Sequence, residues 1–160
     1  AKMNAAVIDS SLSYRDMLEE DVLEVFRIES LAYDFPWTKE VFLDCLSAGY
    51  TCKLFCIQNV IEGYIILSFS QTDCHILNFC IAPHQQGCGY GKDMLQFAYD
   101  VAQQQGARIM YLEVRPTNAA ALTLYETQGF KRIAIRKNYY PDDEGREDAF
   151  VLACEIPSTA

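Results

Sequence analysis

Apolar positions along this chain change period repeatedly, and each change marks an element. Leu12–Met17 alternates as a short strand. Over Glu19–Tyr33, Val22, Val25, Phe26, Glu29 and Ala32 recur at helical spacing, with acidic residues in the first turn where the helix dipole favours them. Phe35-Pro36-Trp37 breaks that helix. Thr38 is placed to cap a second one, with Val41, Phe42, Cys45 and Leu46 on its inner face and Gly49 at its end. Three strand-like runs follow, Tyr50–Gln58, Val60–Gln71 and Asp73–Ala82, with turns expected at Gln58-Asn59 and Thr72-Asp73. A glycine-rich stretch leads into a helix over Lys92–Gln105, with Met94, Leu95, Ala98, Val101 and Ala102 inward and Gly106 closing it. Arg108–Val114 reads as a strand with Ile109, Tyr111 and Glu113 on one face and Met110, Leu112 and Val114 on the other. Pro116 stops it, and Asn118 caps a short helix that turns Ala121, Leu122 and Tyr125 inward and ends at Gly129. Phe130–Asn138 and Asp148–Ile156 look like an antiparallel pair joined by a polar loop, Tyr139–Glu147.

This order (strand, two helices, three strands, helix, strand, helix, two strands) predicts a mixed α/β layered fold, with about four helices on a mostly antiparallel sheet. At 160 residues, with no internal repeat or linker, the chain is expected to be one domain with its core over residues 12–156. A net charge of −9 argues against general nucleic-acid binding and suits a cationic substrate. No apolar run approaches the roughly 18 residues of a membrane span, and no secretory leader is visible, so a cytoplasmic location is expected. The seven cysteines are odd in number and form no C-x-x-C pair, which favours free thiols over a disulfide framework or zinc. Cys74-His75 with Cys80 is a weak metal-ligand pattern, and no metal is expected.

Gln86-Gly87-Cys88-Gly89-Tyr90-Gly91 is the most informative stretch. Three glycines between a strand and a helix free the backbone to turn, and the helix start presents unpaired N–H groups to an anion. A Walker A loop fails here: Gln86 stands at the upstream glycine position and Asp93 follows Lys92. A dinucleotide fingerprint fails too, since its last glycine would fall on Lys92 or Met94. What remains is Gln-x-x-Gly-x-Gly from Gln86, Gly89 and Gly91, which resembles the pyrophosphate loop of the GNAT-type acetyl-coenzyme A-dependent N-acetyltransferases. Downstream, Asn118-Ala119-Ala120-Ala121 with Leu124-Tyr125-Glu126 and Gly129-Phe130 resembles the second signature of the same superfamily. Phe35-Pro36-Trp37, Leu112–Arg115, Asn138–Pro141 and Gly145–Ala149 are similar to one subfamily, the RimI-type ribosomal-protein alanine N-acetyltransferases. The likeness covers roughly residues 12–156.

Amide formation from a thioester requires a neutral amine, a donor for the developing oxyanion, a proton for the departing thiolate, and reactants held within about 3–3.5 Å. Glu113 is the candidate base: a carboxylate near the end of an apolar strand, where partial burial is expected to raise its pKa, acting directly or through a bound water. The ordinary alternative is a strand-end glutamate paired with Arg115 or Lys131. The resemblance places the family's base on Glu113 and its thiolate-protonating acid on Tyr125, which otherwise reads as a core tyrosine. It implies an Asn118 contact to acetyl-coenzyme A besides the helix cap. It also implies that backbone groups of Phe79, Cys80 and Ile81 serve the pantetheine and thioester oxygen, with Gln86, Gly87, Cys88, Gly89, Tyr90, Gly91 and Lys92 cradling the pyrophosphate. Family loops usually carry arginines where Gly87 and Cys88 stand. Lys92 is then the loop's only cation, which predicts weaker cofactor binding and leaves Cys88 oxidisable. Trp37, Tyr139 and Tyr140 are candidates for the walls of the acceptor groove, or simply for packing.

The deprotonation cost favours an α-amine over a lysine: about 1 kcal/mol at pH 7 against about 4.6 kcal/mol. The implied activity is acetyl transfer from acetyl-CoA to a protein N-terminus, foremost the basic N-terminal segment beginning with alanine of ribosomal protein bS18, by direct attack in a ternary complex. Two alternatives stay open: a small amine, antibiotic or other N-terminus as acceptor, or a non-catalytic coenzyme A-binding module.

Overall fold

The computed structural model describes residues 11–158. Seven strands, β1 (Leu12–Asp16), β2 (Thr51–Ile57), β3 (Val60–Ser70), β4 (Asp73–Ile81), β5 (Ile109–Val114), β6 (Lys131–Asp142) and β7 (Gly145–Glu155), hydrogen-bond in the order β1-β2-β3-β4-β5-β7-β6. The helices are α1 (Val22–Ala32), α2 (Lys39–Ser47), α3 (Tyr90–Gln104) and α4 (Ala119–Thr127), with single 3-10 turns at Glu19–Asp21 and Pro83–Gln85. The mixed α/β class and the element order match the expectation. No helix among the described residues is long and apolar enough to cross a membrane. The chain divides into two compact units, one running up to Ile66 and including Asn78–Tyr90, the other made of Leu67–Leu77 and the chain from Gly91 onward.

In the first unit, β1 and β2 pair antiparallel from Leu12↔Ile57 to Asp16↔Lys53. The following turn falls on Gln58-Asn59, both at positive φ (50° and 67°), as a two-residue hairpin that follows the right-handed strand twist requires. Arg15 grips Asp21 with two 2.9 Å bonds, and that bidentate contact holds the Asp21 carboxyl below the usual range. Thr38 caps α2 as expected, its hydroxyl accepting from the Val41 N–H at 3.3 Å. The core is Val25, Ile28, Phe42, Leu54, Phe55, Tyr64, Ile65 and Ile66. Glu29 is buried among them, at the inner-face position its spacing predicts. Its Oε1 accepts from the Tyr64 hydroxyl (2.7 Å) and Asn78 Nδ2 (2.9 Å), and its Oε2 from the Trp37 N–H (2.9 Å). Helix, loop and two strands are thereby pinned at one carboxylate.

In the second unit, β4 runs parallel to β5 with His75 opposite Tyr111, while β7 pairs antiparallel with both β5 and β6. Met94, Leu95, Ala98 and Ala102 of α3 are buried, as are Met110, Leu112 and Val114, one of the two β5 faces that alternation separates. Asn118 caps α4 through a 3.1 Å bond from the Ala121 N–H.

Three expectations are corrected. The polar segment Tyr139–Glu147 is not a loop. It belongs to a long β6–β7 ribbon that reverses at Asp143-Glu144, with Asp142 Oδ1 accepting from the Glu144 N–H at 3.0 Å. Nearly all of β6 is solvent-exposed, so no buried face marks its continuation beyond Asn138. Its register is broken by bulges between Arg132 and Ala134 and between Arg136 and Tyr140. Second, α3 begins at Tyr90 and not Lys92, so Gly91 lies in its first turn. Third, the turn after β3 is centred one residue earlier than read, with Gln71 at φ +54°.

Removing the Glu29 carboxylate strands a buried phenol and a half-buried amide. Glu29→Ala is expected to cost about 3–5 kcal/mol of unfolding free energy, and Glu29→Gln less because it keeps an acceptor. Urea denaturation measures both. A loss below about 1 kcal/mol for Glu29→Ala contradicts the pinning role.

Candidate active site

The alternation of β5 puts Tyr111 and Glu113 on one face, and the parallel register puts His75 of β4 beside Tyr111. The two rings stack, centroids 4.3 Å apart at 15°. From that position His75 Nε2 reaches diagonally to Glu113 Oε1 at 2.6 Å. On the other side Glu113 is in register with Val151 of β7, which is in turn opposite Ala134 of β6. Arg136, two residues on, brings its Nε to 3.4 Å from Glu113 Oε2, an ion-pair distance outside hydrogen-bond geometry. The Glu113 side chain is only 6% exposed, whereas Arg136 is 52% exposed. Burial pushes the Glu113 carboxyl upward, but the His75 hydrogen bond and the charges of His75 and Arg136 outweigh it, leaving its pKa below the ordinary value. This corrects the expected upward shift: burial was anticipated, but the basic partners that overcome it were not.

A second cluster lies beside the first. Tyr139 and Tyr140 meet edge to face at 4.8 Å. The Arg115 guanidinium sits 4.4 Å over the Tyr140 ring and pairs with Glu147 at 3.0 Å. Glu147 also accepts from the Thr117 hydroxyl at 2.8 Å. Glu113 therefore pairs with neither Arg115 nor Lys131, the partners that strand position suggested. Burial and the neighbouring Glu113 carboxylate raise the pKa of Tyr139, and burial followed by Tyr139 and Glu113 raises that of Tyr140. Tyr125 is buried, its ring 5.7 Å from Phe130.

In the first unit the glycine loop is tied to the end of β4 by Gln86 Nε2, which donates to the Ile81 carbonyl at 3.0 Å. Gly87 and Gly89 hold φ of +80° and +85°, the left-handed region where side chains are strained, although no neighbour crowds either position. The Tyr90 ring packs on Phe55 at 5.4 Å. The Phe79 carbonyl accepts from the Tyr33 hydroxyl at 3.2 Å. Trp37 packs on Phe42 at 5.3 Å and gives its backbone N–H to Glu29, so it serves here as an anchor of the core.

A family model described as acetyltransferase (GNAT) family matches residues 13–130. The chain belongs to this family. It is 32% identical over 136 residues to the [ribosomal protein bS18]-alanine N-acetyltransferase of Escherichia coli strain K12, covering 85% of this chain and 92% of that protein. The enzyme of the same name from Haemophilus influenzae is 35% identical over 137 residues, covering 85% of this chain and 93% of that protein. The crystal structure of the Escherichia coli ribosomal-protein-S18-alanine N-acetyltransferase superposes with a TM-score of 0.86 at 31% identity, over 93% of this chain and 96% of that one.

For this GNAT protein, the structure puts Glu113, Tyr125, Asn118, Gly91, Lys92, Tyr139 and Tyr140 in the second unit, and Phe79–Ile81, Gln86–Tyr90 and Trp37 in the first. It gathers Glu113, Tyr139 and Tyr140 into one network. None of the expected site residues lines either of two surface recesses of the second unit. The larger, about 840 Å³, lies over Leu95, Tyr99, Phe130 and Cys154, and the smaller, about 500 Å³, is bordered by Tyr111 and Arg136. Sequence reading missed His75 and Arg136. The signal for His75 was present: an imidazole in a largely apolar strand, facing the same way as the carboxylate of the next parallel strand. Arg136 gave none, since its reach depends on bulges.

Because the Glu113 pKa is lowered on folding, its ionic contacts stabilise above the unfolded pKa and are lost as pH falls through the folded one. The wild type is expected to lose stability relative to Glu113→Gln as pH falls below about 4. Urea midpoints at pH 7 and pH 3.5 test this, and a stability gap that moves the other way contradicts it.

Proposed function

We propose that this protein transfers the acetyl group of acetyl-CoA to a protein N-terminal α-amino group, that of the alanine of ribosomal protein bS18. The observation that carries this reading is the near-full-length identity to enzymes of that name, coupled with an ionised, buried carboxylate at the position expected for the base.

Proton balance fits an α-amine. A carboxylate whose pKa is below the usual range is a weak base, and it serves an α-amine, roughly one-seventh neutral at pH 7, far better than a lysine that is almost wholly protonated there. In the proposed mechanism the amine nitrogen attacks the thioester carbonyl and passes its proton to Glu113, directly or through one water. The C–S bond then breaks, and Tyr125 protonates the leaving thiolate. Backbone groups of Phe79–Ile81 serve the thioester oxygen, and Asn118 with Gln86–Lys92 serves the pantetheine and pyrophosphate. Tyr139 and Tyr140 flank the acceptor peptide, whereas Trp37, packed on Phe42, is left to the core.

A covalent acetyl-cysteine has little support. Burial pushes the Cys52 and Cys74 thiols up to about 12 and those of Cys80 and Cys154 to about 11, so they are protonated at neutral pH. Direct attack in a ternary complex is therefore preferred. Acetyl-CoA and ribosomes meet in the cytoplasm, where this reading puts the enzyme, as a single catalytic domain.

Glu113→Gln and Tyr125→Phe are each expected to lower kcat by about 10²-fold or more while acetyl-CoA affinity stays within a few-fold. Thiol release with a basic alanine-initiated peptide measures turnover, and wild-type rates from both variants would remove the mechanism. Mass spectrometry of ribosomal proteins from a deletion strain tests the acceptor: bS18 should lose its N-terminal acetyl group, and an unchanged pattern refutes the assignment. Gly89→Ala places a side chain at φ +85° and is expected to weaken acetyl-CoA binding about tenfold. An unchanged Kd contradicts the loop's role.

A further inference from the structure

We propose that His75 is a positioning residue for proton removal: it holds Glu113 by Oε1 so that Oε2 alone is presented to the incoming amine. This rests on Glu113 being the base, as argued above.

The geometry supports it from three sides. A 2.6 Å separation between an imidazole nitrogen and a carboxylate oxygen must contain a proton, because two lone pairs do not approach so closely. The ionised carboxylate brings none, so Nε2 is the donor, an assignment that follows from chemistry rather than from seeing the hydrogen. The imidazole plane is fixed in turn by its stacking on Tyr111. A rigid ring with one nitrogen committed to Oε1 therefore sets the orientation of the carboxylate. Finally, Oε2 is buried and takes no hydrogen bond from the described residues. A fold that satisfies Glu29 with three donors leaves this oxygen outside hydrogen-bond geometry, with the half-exposed Arg136 at ion-pair distance and the Tyr139 hydroxyl as the other group acting on the carboxylate. Bare buried acceptors are rare and are kept where chemistry uses them.

In the step itself, the C–N bond forms as the amine proton moves to Glu113 Oε2, and the C–S bond breaks as the thiolate takes the Tyr125 proton. Afterwards Glu113 releases one proton to solvent and Tyr125 regains one, restoring both groups. His75 keeps its Nε2 proton throughout. Its own charge state still matters. An imidazolium at 2.6 Å stabilises the carboxylate and weakens it as a base, while a neutral imidazole donates the same hydrogen bond without that penalty. Other groups shape the same field: Arg136 and Tyr139 from β6, Tyr111 on β5, and Asp73 and Cys74 on β4. None of them makes the direct bond to Oε1.

The test compares His75→Ala and His75→Gln, alone and combined with Glu113→Gln, in acetyl transfer to an alanine-initiated peptide across pH 5.5–9. Thermal midpoints and acetyl-CoA Kd values accompany every variant. His75→Ala is expected to lower kcat about thirtyfold at pH 8 with acetyl-CoA Kd within about threefold, a loss inside the range of general-base effects. His75→Gln offers a neutral donor, so it should recover most of that loss and move the acid limb of kcat to lower pH. In the Glu113→Gln background, His75→Ala should cost nothing further. The proposal is overturned if His75→Ala retains wild-type kcat and pH profile, or if it costs the same factor in both backgrounds. Should His75→Ala not fold, an unmoved acid limb in His75→Gln overturns it alone. A fully active Glu113→Gln sinks the base assignment itself, whereas an inactive Glu113→Gln with an unaffected His75→Ala leaves that assignment standing and removes only the role of His75.

Discussion

A carboxylate buried on a sheet face is tolerated only when neighbouring groups balance its charge, and much of the second unit is arranged around that requirement at Glu113. His75 approaches from the parallel strand on one side, and Arg136 from the bulged outer strand on the other. The parallel β4–β5 register and the irregular β6–β7 ribbon are both needed, since a shift of one residue in either would turn the partner to the opposite face. Burial acting alone would push the carboxyl pKa upward. Two basic neighbours keep it ionised, and an ionised group is the one able to accept a proton.

The two buried glutamates show how the same residue type takes different roles. Glu29 uses both oxygens on a phenol, an amide and a backbone N–H, and its value is to pin α1 to the loop and strands around it. Glu113 uses one oxygen and leaves the other bare. Saturated carboxylates hold structure together. A carboxylate that is ordered but half satisfied retains room for a ligand, and in the proposed mechanism that ligand is the acceptor amine.

Much of the fold was legible because local rules and burial agreed. Thr38 and Asn118 cap their helices, Gln58-Asn59 turns the first hairpin, and the two faces of β5 divide as alternation predicts. The antiparallel pairing of Phe130–Asn138 with Asp148–Ile156 was legible, but the continuation of both strands through Tyr139–Glu147 was not. There β6 is an exposed edge strand, and its bulge at Asn138, whose N–H is held by Asp148 Oδ1 at 2.9 Å, reads locally as a loop. At the site, the resemblance supplied Glu113 and Tyr125, and the alternation put Glu113 on the face opposite the buried Met110, Leu112 and Val114. Its pKa direction was missed because that depends on His75 and Arg136, which lie 38 residues before and 23 residues after it and meet it only through strand pairing.

The most direct test is a crystal structure of the protein with an unreactive acetyl-CoA analogue and an alanine-initiated peptide. The account predicts the peptide α-nitrogen within about 2.6–3.2 Å of Glu113 Oε2, or one water away, with His75 still on Oε1 and the Tyr125 hydroxyl at the sulfur. A peptide N-terminus seated away from Glu113, with another group against the amine, would contradict it.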